Sequence, residues 1–260
     1  MKANYHTHTA RCHHAHPDER RYIECAIEGG FSLLGFADHV PQPFRDGYVS
    51  GIRMHPDETA DYVGVLSALK EEYRDKIDVR IGFETEYFPS LFEDLLRLLE
   101  PHPYEYLILG QHFLDNEAGG LYMGLPFDSE ATLTRYVDQC AEAMDTGAFC
   151  CFAHPDLPNF QGSETFYRAE MRRLCRYAKG CGMPLEFNLL GYEMDKQYPS
   201  PKFWEEAAAI GATGILGWDA HEPTWLARTD VEARARAYLQ SLDVHPVDAL
   251  ELIRPHAKEA

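Results

Sequence analysis

Residues 1–16 read Met1-Lys2-Ala3-Asn4-Tyr5-His6-Thr7-His8-Thr9-Ala10-Arg11-Cys12-His13-His14-Ala15-His16. Five histidines stand between His6 and His16, ahead of the first stretch with helical spacing. A His-rich metal-scavenging tail or an expression tag would not alternate as this segment does. Asn4-Tyr5-His6-Thr7-His8-Thr9 has the period of a strand, which puts His6 and His8 on one face. The fold turns on whether other segments end in the same way.

They do. Short β-rich segments are expected over residues 3–8, 32–39, 79–86, 106–112, 149–154, 184–189 and 213–219. Helical stretches are expected between and after them, over 18–28, 56–76, 90–99, 128–146, 163–180, 201–210, 230–242 and 246–253. Asp128-Ser129-Glu130 and Ser163-Glu164 are start signals, and Gly147, Gly180 and Gly211 are stops. The alternation implies a mostly parallel sheet with helical crossovers. Seven strands fit a closed, distorted barrel better than an open sheet. No linker, repeat or low-complexity segment interrupts the chain, so residues 1–260 read as one domain.

The polar residues then fall at strand ends. His6 and His8 end the first strand, Asp38-His39 the second, and Glu84 lies near the end of the third. His112 ends the fourth, His154 the fifth, and Asp219 with His221 the seventh. The sixth delivers Glu186 and Asn188. In a barrel those ends converge on one mouth, where catalytic groups of such folds sit. Six histidines with a glutamate and an aspartate mix imidazole with carboxylate, which suits zinc, iron or manganese. They exceed what one four-coordinate ion needs, so two or three divalent ions are implied, with Glu84 able to bridge two. His55, His102, His245 and His256 lie beside prolines and read as background, while His13 and His16 are nearer the site.

Composition narrows the partners. The formal charge of −18 argues against nucleic acid and anionic membrane, which are held by lysine and arginine. An anionic small substrate would need local positive charge, and bound ions supply it most strongly. No apolar run approaches the ~18 residues of a membrane helix, and there is no cleavable leader. The seven cysteines lack paired CxxC spacing and read as reduced thiols of a cytoplasmic protein. Cys150 and Cys151 are expected on opposite faces of a strand.

HTHTARCHH, GFADHVP, GFETEY, GQHFL, FAHPDL, EFN…YPSP and GWDAH, in this order over nearly the whole chain, resemble the motifs of the PHP (polymerase and histidinol phosphatase) family, in particular its stand-alone histidinol-phosphate phosphatases. The resemblance implies a distorted seven-stranded (β/α) barrel with a metal site at its C-terminal mouth. It implies three metal positions: His6, His8, Glu84 and Asp219; Glu84, His112 and His154; and His14, His39 and His221. His14 is preferred over His13 because it stands two residues past Cys12, where such phosphatases read C-x-H. The implied activity is metal-assisted hydrolysis of a small phosphomonoester, most of all histidinol phosphate, with Glu84, Asp219, His154 and His221 catalytic. The ions activate water and offset phosphoryl charge; a metal-bound water or Asp156 would be the general acid.

One departure concerns phosphate recognition. Such phosphatases read E-I-N-T-(A/S)-G followed closely by an arginine; here Glu186-Phe187-Asn188-Leu189-Leu190-Gly191-Tyr192-Glu193 has none. Arg228, Lys196 and Arg53 are the candidate replacements, with Asn188 a further substrate contact. Trp218 also stands where a serine is common. Two other classes remain. A TatD-like or amidohydrolase-type barrel also begins with HxH, but has no use for His14, His39 and His221. A metal-binding PHP module without turnover would be told apart by metal analysis and a phosphatase assay.

Overall fold

The computed structural model describes residues 1–257. The chain runs β1 (Ala3–Asn4), α1 (Glu19–Glu28), β2 (Leu33–His39), α2 (Thr59–Tyr73), β3 (Asp78–Thr85), α3 (Phe92–Leu99) and β4 (Tyr106–Leu109). It continues through β5 (Phe113–Leu114), β6 (Leu121–Tyr122), α4 (Glu130–Asp145), α5 (Glu164–Cys181), β7 (Leu185–Asn188), α6 (Leu189–Glu193), α7 (Pro201–Ile210), β8 (Gly214–Gly217) and α8 (Thr229–Ser241). Asp18, Ser129 and Ser163 cap α1, α4 and α5 by accepting the backbone N–H of Arg21, Thr132 and Phe166, where the sequence places the starts. The stop of α5 is Gly182, at φ 71°, rather than Gly180. Gly180 stays helical because the left-handed residue that ends a helix is needed only one turn past its last packed side chain. Among the described residues no helix is long and apolar enough to cross a membrane.

Strands β1, β2, β3 and β4 form a curled, fully parallel sheet in that order, and β7 pairs with β8 in parallel. Between these pieces the pairing thins to isolated bridges: Leu109 to Phe152, Phe152 to Leu185, and Thr7 to Ala220. The expected strand over 149–154 is therefore a single bridged residue. The backbone bends at Cys150 and again at His154, whose φ is +30°, although Cys150 N and Ala153 N still donate to Leu107 O and Leu109 O, at 3.0 and 2.7 Å. The bend also overturns the expected divergence of Cys150 and Cys151, which pack into the same cluster. All seven cysteines are free thiols.

Period two sorts the strand residues. Leu34, Phe36, Ile81, Phe83, Leu107, Leu109, Leu185, Phe187 and Leu216 join the main core under the helices. The alternate residues Ala37, Tyr106, Ile108 and Ile215 gather with Tyr5, Cys150, Cys151 and Ala153 in a second cluster on the concave side. Gly35 and Gly82 make room there for the Tyr106 ring, which any Cβ at either position would strike. The hydroxyl of Tyr106 donates to Tyr5 O and Phe36 O at 2.8 and 3.1 Å.

The expected helix over 246–253 does not form. Val247 instead bridges Ile215, and Leu250 and Leu252 pack on the concave cluster. Leu250 N donates to Tyr5 Oη at 3.2 Å. Leucines two apart serve an extended segment sealing a floor, and that tertiary packing outweighs helix propensity. The short β5–β6 hairpin and α6, which the sequence reading left out, sit beside the opposite end of the strands.

Candidate metal centre

The strand ends bring seven imidazoles together, and their hydrogen bonds settle which nitrogens face inward. His6 Nδ1 lies 2.8 Å from Glu186 Oε1, His8 Nδ1 3.2 Å from Asp38 Oδ1, and His112 Nδ1 2.9 Å from Glu86 Oε1. A carboxylate only accepts, so each Nδ1 carries a proton and Nε2 is the nitrogen free to bind a cation once it gives up any proton of its own. His14 Nδ1 and His221 Nδ1 likewise bond the carbonyls of Cys12 and Asp219, at 2.5 and 2.9 Å. The Nε2 atoms then converge. His6 Nε2 and His8 Nε2 are 3.2 Å apart, and His14 Nε2 and His221 Nε2 are 3.0 Å apart. Two acceptors at that range repel unless a proton or a cation lies between them. Two atoms bound tetrahedrally at about 2.0–2.1 Å to one ion are separated by about 3.3 Å, so the spacing fits shared ligation.

Asn4 helps to turn the first strand into this mouth. Its amide donates to His6 O and Thr7 Oγ1 at 2.9 and 2.8 Å and accepts from Trp218 N at 2.8 Å. Glu84 stands in the middle. Its Oε1 is 2.7 Å from His154 Nε2, 3.4 Å from His112 Nε2 and 3.6 Å from His6 Nε2. Its Oε2 is 2.9 Å from His39 Nδ1 and 3.6 Å from His8 Nε2. Asp219 Oδ1 faces His8 and His6 at 3.1 and 3.4 Å. Glycines admit the carboxylates: a Cβ at Gly110 would overlap Glu84, and one at Gly217 would overlap Glu186.

Several features fit bound cations. His39 Nδ1, Glu84 Oε2 and His154 Nδ1 are buried with no hydrogen-bond partner; the His39–Glu84 contact is close but lacks hydrogen-bond geometry. Buried polar atoms are rarely left so. His154 and Asp219 hold positive φ, 30° and 50°, a conformation that costs L-residues energy and gathers at functional sites. Burial works against charge on His6 and His8, yet the nearby carboxylates, Glu186 and Asp219 foremost, hold both imidazoles well above their ordinary value. Burial likewise opposes the charges of Glu84 and Asp219, and the imidazoles hold both carboxyls well below the usual range. Burial pushes His39 down to about 3. A site this rich in anionic and neutral donors exchanges protons for metal.

Of the residues read from the sequence, His6, His8, His14, His39, Glu84, His112, His154, Asp219 and His221 all gather here, in overlapping groups with ligand atoms within 4.8 Å of one another or through the Glu84 contacts above. His13 caps a turn at φ 67° and is exposed. His16 contributes its backbone N–H, bonded to His221 O at 2.9 Å. The expected substrate contacts fare differently. Arg53 is buried, with its guanidinium bound to Glu86 and Glu117. Arg228 pairs with Glu193 and Asp230 and does not line the mouth. Asn188 is buried and donates to Glu186 Oε2 and Asp219 Oδ2 at 3.1 and 3.2 Å, so it orients carboxylates. In each case a carboxylate distant in sequence, Glu86, Glu193 or Asp219, has engaged the donor, joined for Arg228 and Asn188 by Asp230 and Glu186 two residues away. Asp156 accepts from Ser200 N at 2.5 Å and does not line the cavity.

That leaves Lys196. Among the described residues it is the one lysine or arginine lining the cavity over the imidazoles, about 390 Å³ in volume. Its Nζ lies 3.5 Å from Tyr198 Oη. Ile52, Phe113, Tyr122, Leu157, Leu190 and Tyr198 make up the apolar wall. The sequence reading missed Glu86 and Glu186 as the partners that fix His112 and His6. A carboxylate at an inward strand position beside a ligand is the signal that points to such a role. Cys12, which in the sequence marks the C-x-H spacing to His14, groups with His8 and His221 at ligand spacing.

The model of the PHP domain matches residues 4–189. The chain belongs to the PHP domain family. Among curated PHP relatives, the probable histidinol-phosphatase of Deinococcus radiodurans is 28% identical over 235 residues, covering 84% of this chain and 85% of that protein. The histidinol-phosphatase of Bacillus subtilis is 31% identical over 146 residues, 54% of this chain and 53% of that one. In fold the chain is similar to the histidinol phosphate phosphatase of Lactococcus lactis, solved with zinc, L-histidinol and phosphate. The TM-score is 0.70 at 20% identity, covering 96% of this chain and 97% of that one.

Proposed function

We propose that this protein is a phosphoric monoester hydrolase acting on L-histidinol phosphate, releasing L-histidinol and phosphate, within a single domain over residues 1–260. The observation that carries the reading is the convergence of imidazole lone pairs on both oxygens of Glu84, in a PHP chain whose curated relatives bear histidinol-phosphatase names. His6, His8 and Asp219 with Glu84 would hold one divalent ion, Glu84 with His112 and His154 a second, and His14, His39 and His221 a third. The donor set suits zinc, iron or manganese. Such ions lower the pKa of water and offset charge on the phosphoryl oxygens.

The chain's own residues do the rest. Glu186, Asp38 and Glu86 hold three rings in the tautomer that points Nε2 inward. Lys196 offers the free cation for a phosphoryl oxygen in place of the absent arginine, as a point charge rather than a planar fork. Phe113, Tyr122 and Tyr198 suit the flat imidazole ring carried by the departing histidinol. We also read the seven segments as a distorted seven-stranded barrel. The single bridges at Thr7, Phe152 and Ala220, which continue the pairing between the two sheets, support this.

The test is kcat/KM of metal-loaded protein for histidinol phosphate against a panel of small phosphomonoesters. Histidinol phosphate is expected to lead the panel, and Lys196→Ala to lose about tenfold, mostly in KM, as for a charged hydrogen bond. Turnover of no phosphomonoester would defeat the reading; an unchanged KM would remove Lys196 from it.

A further inference from the structure

Arg53 is an unusual residue to find sealed inside a wall of the mouth. It is 2% exposed, as the chain returns from the loop after β2. Its Nη1 and Nη2 donate to the two oxygens of Glu86 at 2.7 and 2.8 Å, its Nε donates to Glu117 Oε2 at 2.7 Å, and Nη1 reaches Val40 O at 3.2 Å. Every direction of the guanidinium fork is used, and the bidentate pair with Glu86 is the strong form of the interaction.

The two carboxylates lead to different places. Glu86 Oε1 also takes the Nδ1 proton of His112 at 2.9 Å, whose Nε2 faces Glu84. Glu117 Oε1 accepts from Tyr48 Oη and Ser50 Oγ at 3.0 and 2.6 Å, on the loop that carries Ile52. Ile52 and Phe113 line the cavity, and they adjoin Arg53 and His112 in the chain. One buried cation thus ties a prospective ligand to two stretches of wall.

We infer that Arg53, Glu86 and Glu117 form a buried strut in which the Glu86 arm fixes the orientation of His112 and the Glu117 arm fixes the Ile52 wall. Arg53 and Glu86 are positioning residues, acting through His112. Neither arm touches the reacting groups. The strut also explains why Arg53 cannot serve phosphate: withdrawing it would leave two buried carboxylates unpaired, which is strongly unfavourable.

The inference rests on the metal-centre reading, so the first arm of the test titrates the wild-type protein with zinc against a chromogenic chelator. Absence of tight zinc would bring down that reading and the inference with it. With zinc bound to the wild type, Glu86→Gln is expected to weaken one of the bound ions about 10- to 100-fold, as for other partners of ligating histidines, and to leave the others in place. Glu117→Gln is expected to keep the wild-type zinc curve and to raise KM several-fold at near-normal kcat. A wild-type zinc curve in Glu86→Gln overturns the first arm. Loss of thermal stability in both variants with zinc binding and KM unchanged overturns the whole inference, since the network would then be structural only. If Glu86→Gln does not fold, Arg53→Met/Glu86→Gln removes cation and anion together and is read in the same way.

Discussion

The strands of this protein are built differently at their two ends. Below the ligands, Tyr5, Tyr106, Cys150, Cys151 and Ile215 pack together, with Leu250 and Leu252 against them. The polar atoms there are matched: Tyr106 Oη has two carbonyl acceptors and Tyr5 Oη receives Leu250 N. At the C-terminal end most of the side chains are buried as well, His14 being exposed and His221 half-buried, but they are imidazoles and carboxylates with orphaned nitrogen and oxygen atoms and two residues at positive φ. The same sheet stores stability at the floor and unmet ligation at the rim. The cost at the rim is carried by the stability of the floor and the helix-covered core.

The largest expected effect that could break this contrast is at Glu84. Glu84→Gln should lower kcat/KM about 10³-fold or more, the equivalent of several kcal/mol. It should also abolish most of the rise in Tm that zinc gives the wild type, because a ligand stabilises only the state that binds it. A variant with a normal zinc-dependent Tm and near-normal turnover would mean the rim is not organised around this carboxylate.

The floor should answer in the opposite way. Tyr106→Ala, which empties a fully buried position two residues below the level of Glu84, should cost about 3–5 kcal/mol in denaturant unfolding. Its folded fraction should keep the wild-type kcat/KM and zinc stoichiometry. Loss of zinc in proportion to stability would show that floor and rim are one cooperative unit rather than two.

The smallest effect sharpens the boundary between them. Asp156 follows the rim ligand His154 but is buried like a floor residue, and that burial, opposed by the Ser200 N–H, pushes its carboxyl up to about 7. A raised folded value means the fold favours the protonated acid. This contribution is fully present below the unfolded value of about 3.9 and is lost as pH rises through about 7. Metal-stripped wild type should therefore match Asp156→Asn near pH 4 and melt lower by pH 8, by on the order of a few degrees. A gap that stays constant with pH would show that Asp156 does not titrate in this window.

The sequence by itself determined where the ligands stand. Residue type and period two are local properties, so HTH, GFADH, GFETEY, GQH, FAHPD and GWDAH could be read as strand ends, and the structure brings their histidines together with Glu84 and Asp219. Helix starts at Asp18, Ser129 and Ser163 were legible for the same reason, since a cap reaches only three residues. What only the tertiary structure decided is who partners whom. Arg53, Arg228 and Asn188 look available in the sequence and are spent on carboxylates 33, 35 and 31 residues away, while Lys196 is left facing the cavity. The segment after α8 has helical spacing, yet it lies extended because a gap in the floor needed Leu250 and Leu252. Pairing of charges and filling of a floor depend on distances through space, and those are set only when the strands have packed beside one another.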